Sequence, residues 1–425
     1  MAELRDANTN PWYVLMTLYG EQEGKSPFVD EELHAKNRAV WNAWSCQGLD
    51  DAAAAEVAKL AQVDVGETRG WAEMAAKVKR RHRAETMKRN TDSDFTYPGF
   101  PDFEEFINCS GIQFFNKVVL KNCIFTRSAD FSSATFTQAA SFSSATFNQI
   151  ADFYYATFTQ GAYFNSATFT QHANFRSATF DGPAKFVGAK FGVRGADEVC
   201  VPIFTEAAFA RLASFREAAF VTHYPVLEGT EFRETVALTA KDGYWPKPLP
   251  VLLNEADEDA KDVPTKEVAK ESCAALRHAL AKQGMPEEEH FFFRREMEFA
   301  RQVEWADRDA SWLRFKAWPY WLFKVFSGYG ESIALPMRAL GELFLLGAVA
   351  LFGFFLPTLG WFKAIGLAAS MSFSNLLPLF GFSRSILKDV LSNLPWGLQF
   401  LSGAQTILAL PLLFFLALRK RFRLR

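Results

Sequence analysis

Residues 132–153 read SSATFTQAASFSSATFNQIADF, and phenylalanine returns inside them at Phe136, Phe142, Phe147 and Phe153. The steps alternate between five and six residues, and the alternation continues upstream to Phe125 and Phe131 and downstream through Phe158, Phe164, Phe169, Phe175, Phe180 and Phe186 to Phe191. An alanine stands two residues before nearly every centre, as at Ala134, Ala145 and Ala156. A short fixed period of this kind means stacked structural repeats. An eleven-residue sum also fits three turns of a helix. Wound into a helix, however, these phenylalanines and alanines would surround it instead of forming one stripe. In an extended segment residues two apart share a face, so each Ala-x-Phe triplet sends both side chains inward. The intervening Ser, Thr, Asn and Gln suit bends and turns.

Upstream, the pairs Ile107/Cys109, Ile112/Phe114, Val118/Leu120 and Cys123/Phe125 keep the same apolar-x-apolar triplet. The period breaks from Gly192 to Ile203, resumes at Phe204, Phe209, Phe215 and Phe220, and fades through Val226 and Phe232. This unit of a small residue, a variable one and a bulky apolar centre resembles the pentapeptide-repeat family over roughly residues 101 to 232. The resemblance implies a right-handed quadrilateral β-helix with four units to a coil. Alternating fives and sixes give 22 residues per coil, against 20 in a strict pentapeptide repeat, so the extra residues are expected to widen two corners. Coils stacked about 4.8 Å apart would place Phe131, Phe136, Phe142, Phe147, Phe153, Phe158, Phe164, Phe169, Phe175 and Phe180 in a central core, with Ala134, Ala145 and Ala156 in its narrow slots. Each buried phenylalanine contributes roughly 1.5–3 kcal/mol. Ser144 is expected on an outer face.

The best-known activity of that family is mimicry of duplex DNA by an acidic rod. From Phe131 to Phe180 the full charges are Asp152 and Arg176 alone, far from the charge density of a phosphate backbone. A neutral docking face is the expectation instead. The formal net charge of −2 also argues against a dedicated nucleic-acid binder. The basic run Lys77, Lys79, Arg80, Arg81, Arg83, Lys88, Arg89 reads either as a nucleic-acid or anionic-lipid contact or as a solvated helix face. The five cysteines, Cys46, Cys109, Cys123, Cys200 and Cys273, lack metal-ligand spacing, and the six histidines show no HExxH pattern. With no phosphate loop or nucleophile elbow in the sequence, neither an enzyme nor a cofactor is expected.

Near the C-terminus, Leu343 to Phe362 is twenty residues without a charge, and a second apolar run, Leu398 to Leu418, ends in RKRFRLR. Twenty helical residues cover about 30 Å, the thickness of a bilayer core. Basic residues at 419–425, with Arg338 and Lys324 before the first run, predict two spans with both ends in the cytoplasm. Trp361 and Trp396 would be interfacial anchors. Between the spans, the uncharged stretch Ala364 to Ser383 fits a short pore helix followed by a re-entrant segment, similar to the pore module of two-span ion channels, or a hairpin lying on the membrane surface. Its polar Ser374 and Asn375, with Glu342 and Gln405 in or beside the spans, are the pore candidates. Glu342 beside Arg338 also reads as an interfacial carboxylate, and Gln405 as an interhelical hydrogen bond. Gly328-Tyr329-Gly330 imitates a potassium filter but precedes the first span and is expected to be a turn. Membrane-attached members of the pentapeptide-repeat family look similar around Arg295-Glu296-Met297-Glu298 and Ser327 to Ser332.

The expected organisation is multidomain, β plus α: a helical N-terminal domain (1–100), the β-helix (101–235), a linker (236–265), cytoplasmic and interfacial helices (266–335), and a two-span membrane domain with a re-entrant segment (336–425). The expected location is the inner (cytoplasmic) membrane of a bacterial cell. Two spans per chain cannot enclose a channel, so a pore requires a homo-oligomer. Two functions from different classes follow. One is an oligomeric, ion-channel-like membrane effector whose cytoplasmic solenoid senses or docks a protein partner. The other is a non-conducting scaffold anchored among membrane lipids.

Overall fold

The computed structural model describes residues 4–23, 28–193, 199–247, 265–306, 318–330, 332, 334–376, 390 and 393–422. By packing, the chain falls into two compact units, Met1–Phe299 and Ala300–Arg425.

Four parallel sheets of seven, five, six and five strands form the walls of a solenoid of about six turns in the first unit. Register follows the period: Phe136 lies beside Phe158 and Phe158 beside Phe180, each one coil of 22 residues apart. Across the break at Gly192 the step from Phe180 to Phe209 is 209 − 180 = 29 residues, so the interruption is an insertion at one corner and the walls resume in register. Identical rings therefore stack along the rod, Phe136 on Phe158 at 4.7 Å and Phe158 on Phe180 at 5.0 Å, with planes within 2° of parallel.

The two step lengths make two kinds of corner. In the five-residue step the N–H of Ala134 donates to the Phe131 carbonyl at 3.2 Å, and the residue between, Ser133, has φ +55°. A positive φ at the third position is the mark of a type II turn. The same corner recurs at Ser144, Tyr155, Ser166 and Ser177, with φ of 54–55°. The six-residue step makes a longer corner pinned by threonine: Thr159 Oγ1 donates to the carbonyls of Phe136 and Thr137 one coil earlier, at 2.9 and 2.8 Å. Ser144 is more than an outer-face residue, because its hydroxyl meets Gln62 of the N-terminal region at 3.5 Å.

Helices α1 (Pro11–Met16), α2 (Glu31–Ser45), α3 (Asp51–Ala61) and α4 (Trp71–Arg89) precede the solenoid. Asn10, Asp30 and Asp50 cap the first three through their side chains, each satisfying an otherwise orphaned helix N–H. They are not separate from the rod. Arg5–Asp6 pairs with Ile112–Gln113 as a further strand, Tyr13 sets its edge on Phe114 at 5.1 Å, and Trp41 packs on Phe125 at 5.3 Å. Asn42 takes the Ile124 N–H at 2.9 Å and gives its amide to the Asn122 carbonyl at 3.2 Å. The open edge of the first coil is thereby paired and covered.

The far end corrects the expected boundary at 235 and the linker from 236. Val236–Leu238 pairs with Ala213–Phe215, and Trp245 stacks on Phe220 at 4.6 Å. Tryptophan has replaced phenylalanine in the last row, so the sequence period fades while the wall continues. Helices α5 (Lys266–Lys282) and α6 (Pro286–Ala306) follow, with Phe292 edge-on to Trp245 at 4.8 Å and Phe299 edge-on to Tyr224 at 5.2 Å.

The second unit contains α7 (Trp318–Ser327), α8 (Ala334–Leu359), α9 (Trp361–Leu376) and α10 (Trp396–Phe422). Gly328–Gly330 is a turn directly after α7. Two helices, α8 and α10, are long and apolar enough to cross a membrane. Gly360, at φ +74°, joins α8 to α9 in a tight reversal, and α9 returns along α8 with Ala364, Ala368 and Met371 against Leu351 and Phe355. Leu394, just before α10, sits in that same cluster, whereas Ala409 and Leu412 meet Leu340 and Leu376. α10 therefore runs antiparallel to α8. The uncharged stretch from 364 is helical to Leu376; its remainder, 377–383, lies outside the described residues.

Candidate functional site

The ten core phenylalanines named above are at most 1% exposed, and Ala134, Ala145 and Ala156 are fully buried. Cys109 and Cys123 occupy inward slots in the same core, where burial pushes their thiols well above the ordinary range. Burial likewise pushes the Cys46 thiol up to about 12. Thiols this hard to ionise are poor nucleophiles and poor metal ligands.

On the outer surface, Asp130 accepts from the Ser132 N–H at 2.8 Å and Asp152 from the Tyr154 N–H at 2.9 Å, while Asn174 donates its amide to Asp152 at 3.0 Å. Burial, opposed by these hydrogen bonds and helped by the neighbouring Asp130, holds the Asp152 carboxyl above its usual value. Carboxylates spent on turns in this way do not imitate a phosphate chain. One corner differs from the others. Tyr154 and Tyr155 stand where the preceding coil carries Ser132 and Ser133 and the following coil Arg176 and Ser177, their rings 4.4 Å apart and both exposed. The sequence signal is a Tyr-Tyr at a corner whose second residue is otherwise serine from Ser133 to Ser177, a difference that the phenylalanine period does not register.

The basic run on α4 is largely occupied within the fold. Arg89 donates to the Thr17 hydroxyl at 2.8 Å, Arg81 donates to the Leu18 carbonyl at 3.2 Å and lies over Tyr19, and Lys79 and Arg83 lie over Phe100 and Tyr97. These cations hold α4 on the bundle, which leaves few of them for phosphates.

Arg295, near the middle of α6, is a buried clamp at the end of the solenoid. Its guanidinium donates to the Tyr224 hydroxyl, to the Pro246 carbonyl and to Asp242 at 2.7 Å, and stacks over Phe291 at 4.4 Å. Next to it, Glu296 accepts from Arg277 at 2.6 Å. Burial drives the Tyr224 hydroxyl far above its ordinary value, so it stays protonated.

In the second unit the structure brings together two of the four pore candidates. Asn375 Nδ2 donates to Gln405 Oε1 at 3.0 Å, and Gln405 Nε2 donates to the Leu343 carbonyl at 2.7 Å and to Ser372 Oγ at 3.0 Å. Ser372 in turn donates to the Phe344 carbonyl at 2.7 Å. Asn375, Gln405 and Ser372 are all buried, and Gly347 makes the room, since a Cβ there would overlap the Gln405 amide. Sequence reasoning missed Ser372, one of three serines at 370, 372 and 374, and Gly347, one of several glycines in the apolar runs. Ser374 is half-buried. Glu342 is elsewhere: it is exposed and pairs with Arg338 at 2.7 Å. Trp361 and Trp396 are exposed at the starts of α9 and α10. Among the described residues no group of three or more His, Cys, Asp and Glu side chains is arranged to hold a metal.

Comparisons with curated proteins and with solved structures found no match. Residues 120–168 match the family model described as pentapeptide repeats (9 copies), which identifies the phenylalanine-centred coils as pentapeptide repeats.

Proposed function

We propose that this protein is a membrane-anchored, non-catalytic scaffold, a rigid rod held at the inner membrane by α8 and α10 and displaying a docking face to a cytoplasmic protein. The observation that carries this reading is the Asn375–Gln405–Ser372 network. Polar side chains buried among the apolar helices are consumed by one another inside a single chain, as interhelical glue, which leaves them unavailable to line a pathway. The exposed Tyr154–Tyr155 pair on an otherwise hydroxyl-rich surface is the natural anchor for a partner, because aromatic side chains dominate binding energy at interfaces. The basic residues at 324, 338 and 419–425 orient both termini toward the cytoplasm.

A second reading, the oligomeric ion-channel-like effector, is favoured by one feature: the short α9 returns between two antiparallel long helices, the order of elements in a two-span pore module. Its pathway would draw on Ser374, Asn375, Glu342 and Gln405 after rearrangement in a homo-oligomer. Ion flux through liposomes reconstituted with the full chain separates the two. The scaffold reading expects none while the protein resists alkaline carbonate extraction; flux that changes selectivity in Asn375→Asp would overturn it.

A further inference from the structure

The helical region that covers the first coil contains a cavity of about 300 Å³. Trp44 near the end of α2, Trp71 at the start of α4, and Phe100 and Phe103 from the segment after α4 line it. Trp44 is buried and the other three rings are half-buried. The rings hold one another in place: Trp71 stacks on Phe100 at 5.9 Å with planes 22° apart, and Trp44 meets Phe103 at 6.2 Å with planes 84° apart. Arg127 fixes Phe103 further, standing over its ring at 4.7 Å and donating to its carbonyl at 3.3 Å. Trp44 also packs on Trp41 at 5.0 Å, so the aromatic wall continues into the ring that closes the first coil.

Two charged side chains share the cavity lining with these rings. Lys79, about two turns along α4 from Trp71, holds its ammonium 5.5 Å from the centre of the Phe100 ring, and Asp102 accepts from the Glu104 N–H at 3.1 Å. Both are exposed, and among the described residues neither is in an ion pair, with the other or with a third group. A simple cation entering here would meet Lys79, and a simple anion would meet Asp102. A ligand that carries both charges answers both side chains, and an apolar body between its charges suits the rings.

We propose that this cavity binds a free amino acid with an aromatic side chain, its carboxylate at Lys79, its ammonium at Asp102 and its ring against the aromatic wall. The volume is at the small end of ligand pockets, which suits one amino acid, and aromatic pairs gain from edge-to-face and offset packing beyond the area they bury. Occupancy ties α2, α4 and the 100–103 segment together, so the cap over the first coil gains stability as ligand concentration rises.

The test is isothermal titration calorimetry of the full chain in mild detergent with four probes: L-phenylalanine, L-phenylalaninamide, which lacks the carboxylate, 3-phenylpropionate, which lacks the ammonium, and glycine, which lacks the ring. The expected result is saturable binding of one phenylalanine per chain, with each of the other probes weaker by about five-fold or more, the scale of one solvent-exposed ion pair. Lys79→Gln should weaken phenylalanine about five-fold without weakening phenylalaninamide. Asp102→Asn, which keeps an acceptor for the Glu104 N–H, should weaken phenylalanine without weakening 3-phenylpropionate. Both positions are exposed, so neither substitution disturbs packing. Hydrogen exchange at 71–79 and 100–103 should slow when phenylalanine is bound. No saturable heat with phenylalanine, equal affinity for any of the truncated probes, or a Lys79→Gln loss that is the same for phenylalanine and its amide overturns the proposal.

Discussion

Removing one ring from the middle of the stack tests the solenoid most sharply. Phe147 is 1% exposed, lies between Phe125 at 4.6 Å and Phe169 at 5.1 Å, and meets Phe153 at 6.2 Å and Phe142 at 6.3 Å. Phe147→Ala deletes a fully buried ring, which costs about 3–5 kcal/mol depending on how far the surroundings collapse. Here collapse is opposed from both sides, because Asn148 N–H to Phe125 O at 2.8 Å and Thr170 N–H to Phe147 O at 2.9 Å hold the coils at their spacing. The cost should therefore fall near the top of that range, about 4–5 kcal/mol. Phe232 supplies the comparison: it stacks on Phe209 alone among the stacked rings, at 5.2 Å, and is half-buried, so Phe232→Ala should cost about 1–2 kcal/mol. Hydrogen exchange of the full chain gives local opening free energies, and since each coil contacts only its neighbours, the loss for Phe147→Ala should centre on residues 125–169. Equal costs for the two substitutions, or a cost under about 2 kcal/mol at Phe147, would refute the reasoning.

Arg295→Met removes the clamp at the far end and leaves the Tyr224 hydroxyl and the Pro246 carbonyl bonded only to each other; each hydrogen bond lost from the charged guanidinium costs about 1.5–3 kcal/mol, and hydrogen exchange should rise at 224–245 while the middle coils stay protected. Tyr155→Asn should stabilise slightly, by up to about 1 kcal/mol, because a bulky residue at φ +55° gives way to one that tolerates that conformation; a fall in melting temperature would mean that the Tyr154 contact outweighs the strain. Gly347→Ala should destabilise the second unit by about 1–3 kcal/mol through overpacking against Gln405, and Gln405→Ala introduced with it should restore part of the loss, a coupling readable as non-additive melting shifts. Burial lowers the pKa of His82 and His34 below the ordinary histidine value, so their contribution to stability is complete above about pH 6.5 and is lost as pH falls through the folded-state pKa; His82→Gln should flatten the decline in melting temperature between pH 7.5 and 5.5, and an unchanged profile would remove His82 from the account.

Much of the rod could be read from the chain because its period is local. Each Ala-x-Phe triplet states its own geometry, and thirteen centres from Phe125 to Phe191 agree, so even Cys109 and Cys123 could be placed in inward slots. The two step lengths also implied two kinds of corner, but which chemistry closes each one was hidden. A serine at positive φ and a threonine that bonds to the previous coil's carbonyls look alike as polar residues between repeats. The polar core of the second unit was harder. Gln405 and Asn375 stand out among apolar neighbours, but the same isolated amide serves a pathway or an interhelical bond equally well. What decides is whether Gly347 opens a space for Gln405 toward its own chain's Leu343 carbonyl, and that depends on how three distant segments pack.

The ends of the rod were least legible, and the reason lies in what an end requires. Inside the stack every backbone N–H and carbonyl of a wall is paired with the coils before and after, so an aromatic residue there has only volume to supply, and phenylalanine supplies it without a polar atom. At an end the ladder stops and backbone groups are left over, which would be costly if buried unpaired. The residues that close the stack accordingly carry a ring and a polar handle. Trp41 packs on Phe125 while its indole N–H bonds the Ile124 carbonyl at 2.9 Å. Trp245 stacks on Phe220 while its N–H bonds the Thr239 carbonyl at 2.8 Å, and beside it Tyr224 bonds the Pro246 carbonyl at 3.0 Å. Such residues cannot repeat, because each answers a different set of leftover groups, and a search by period loses the chain where the rod is sealed. The switch from Phe to Trp or Tyr at the edge of a phenylalanine repeat is the local signal that remains, and among the described residues it marks Trp245 as the last ring of its stack.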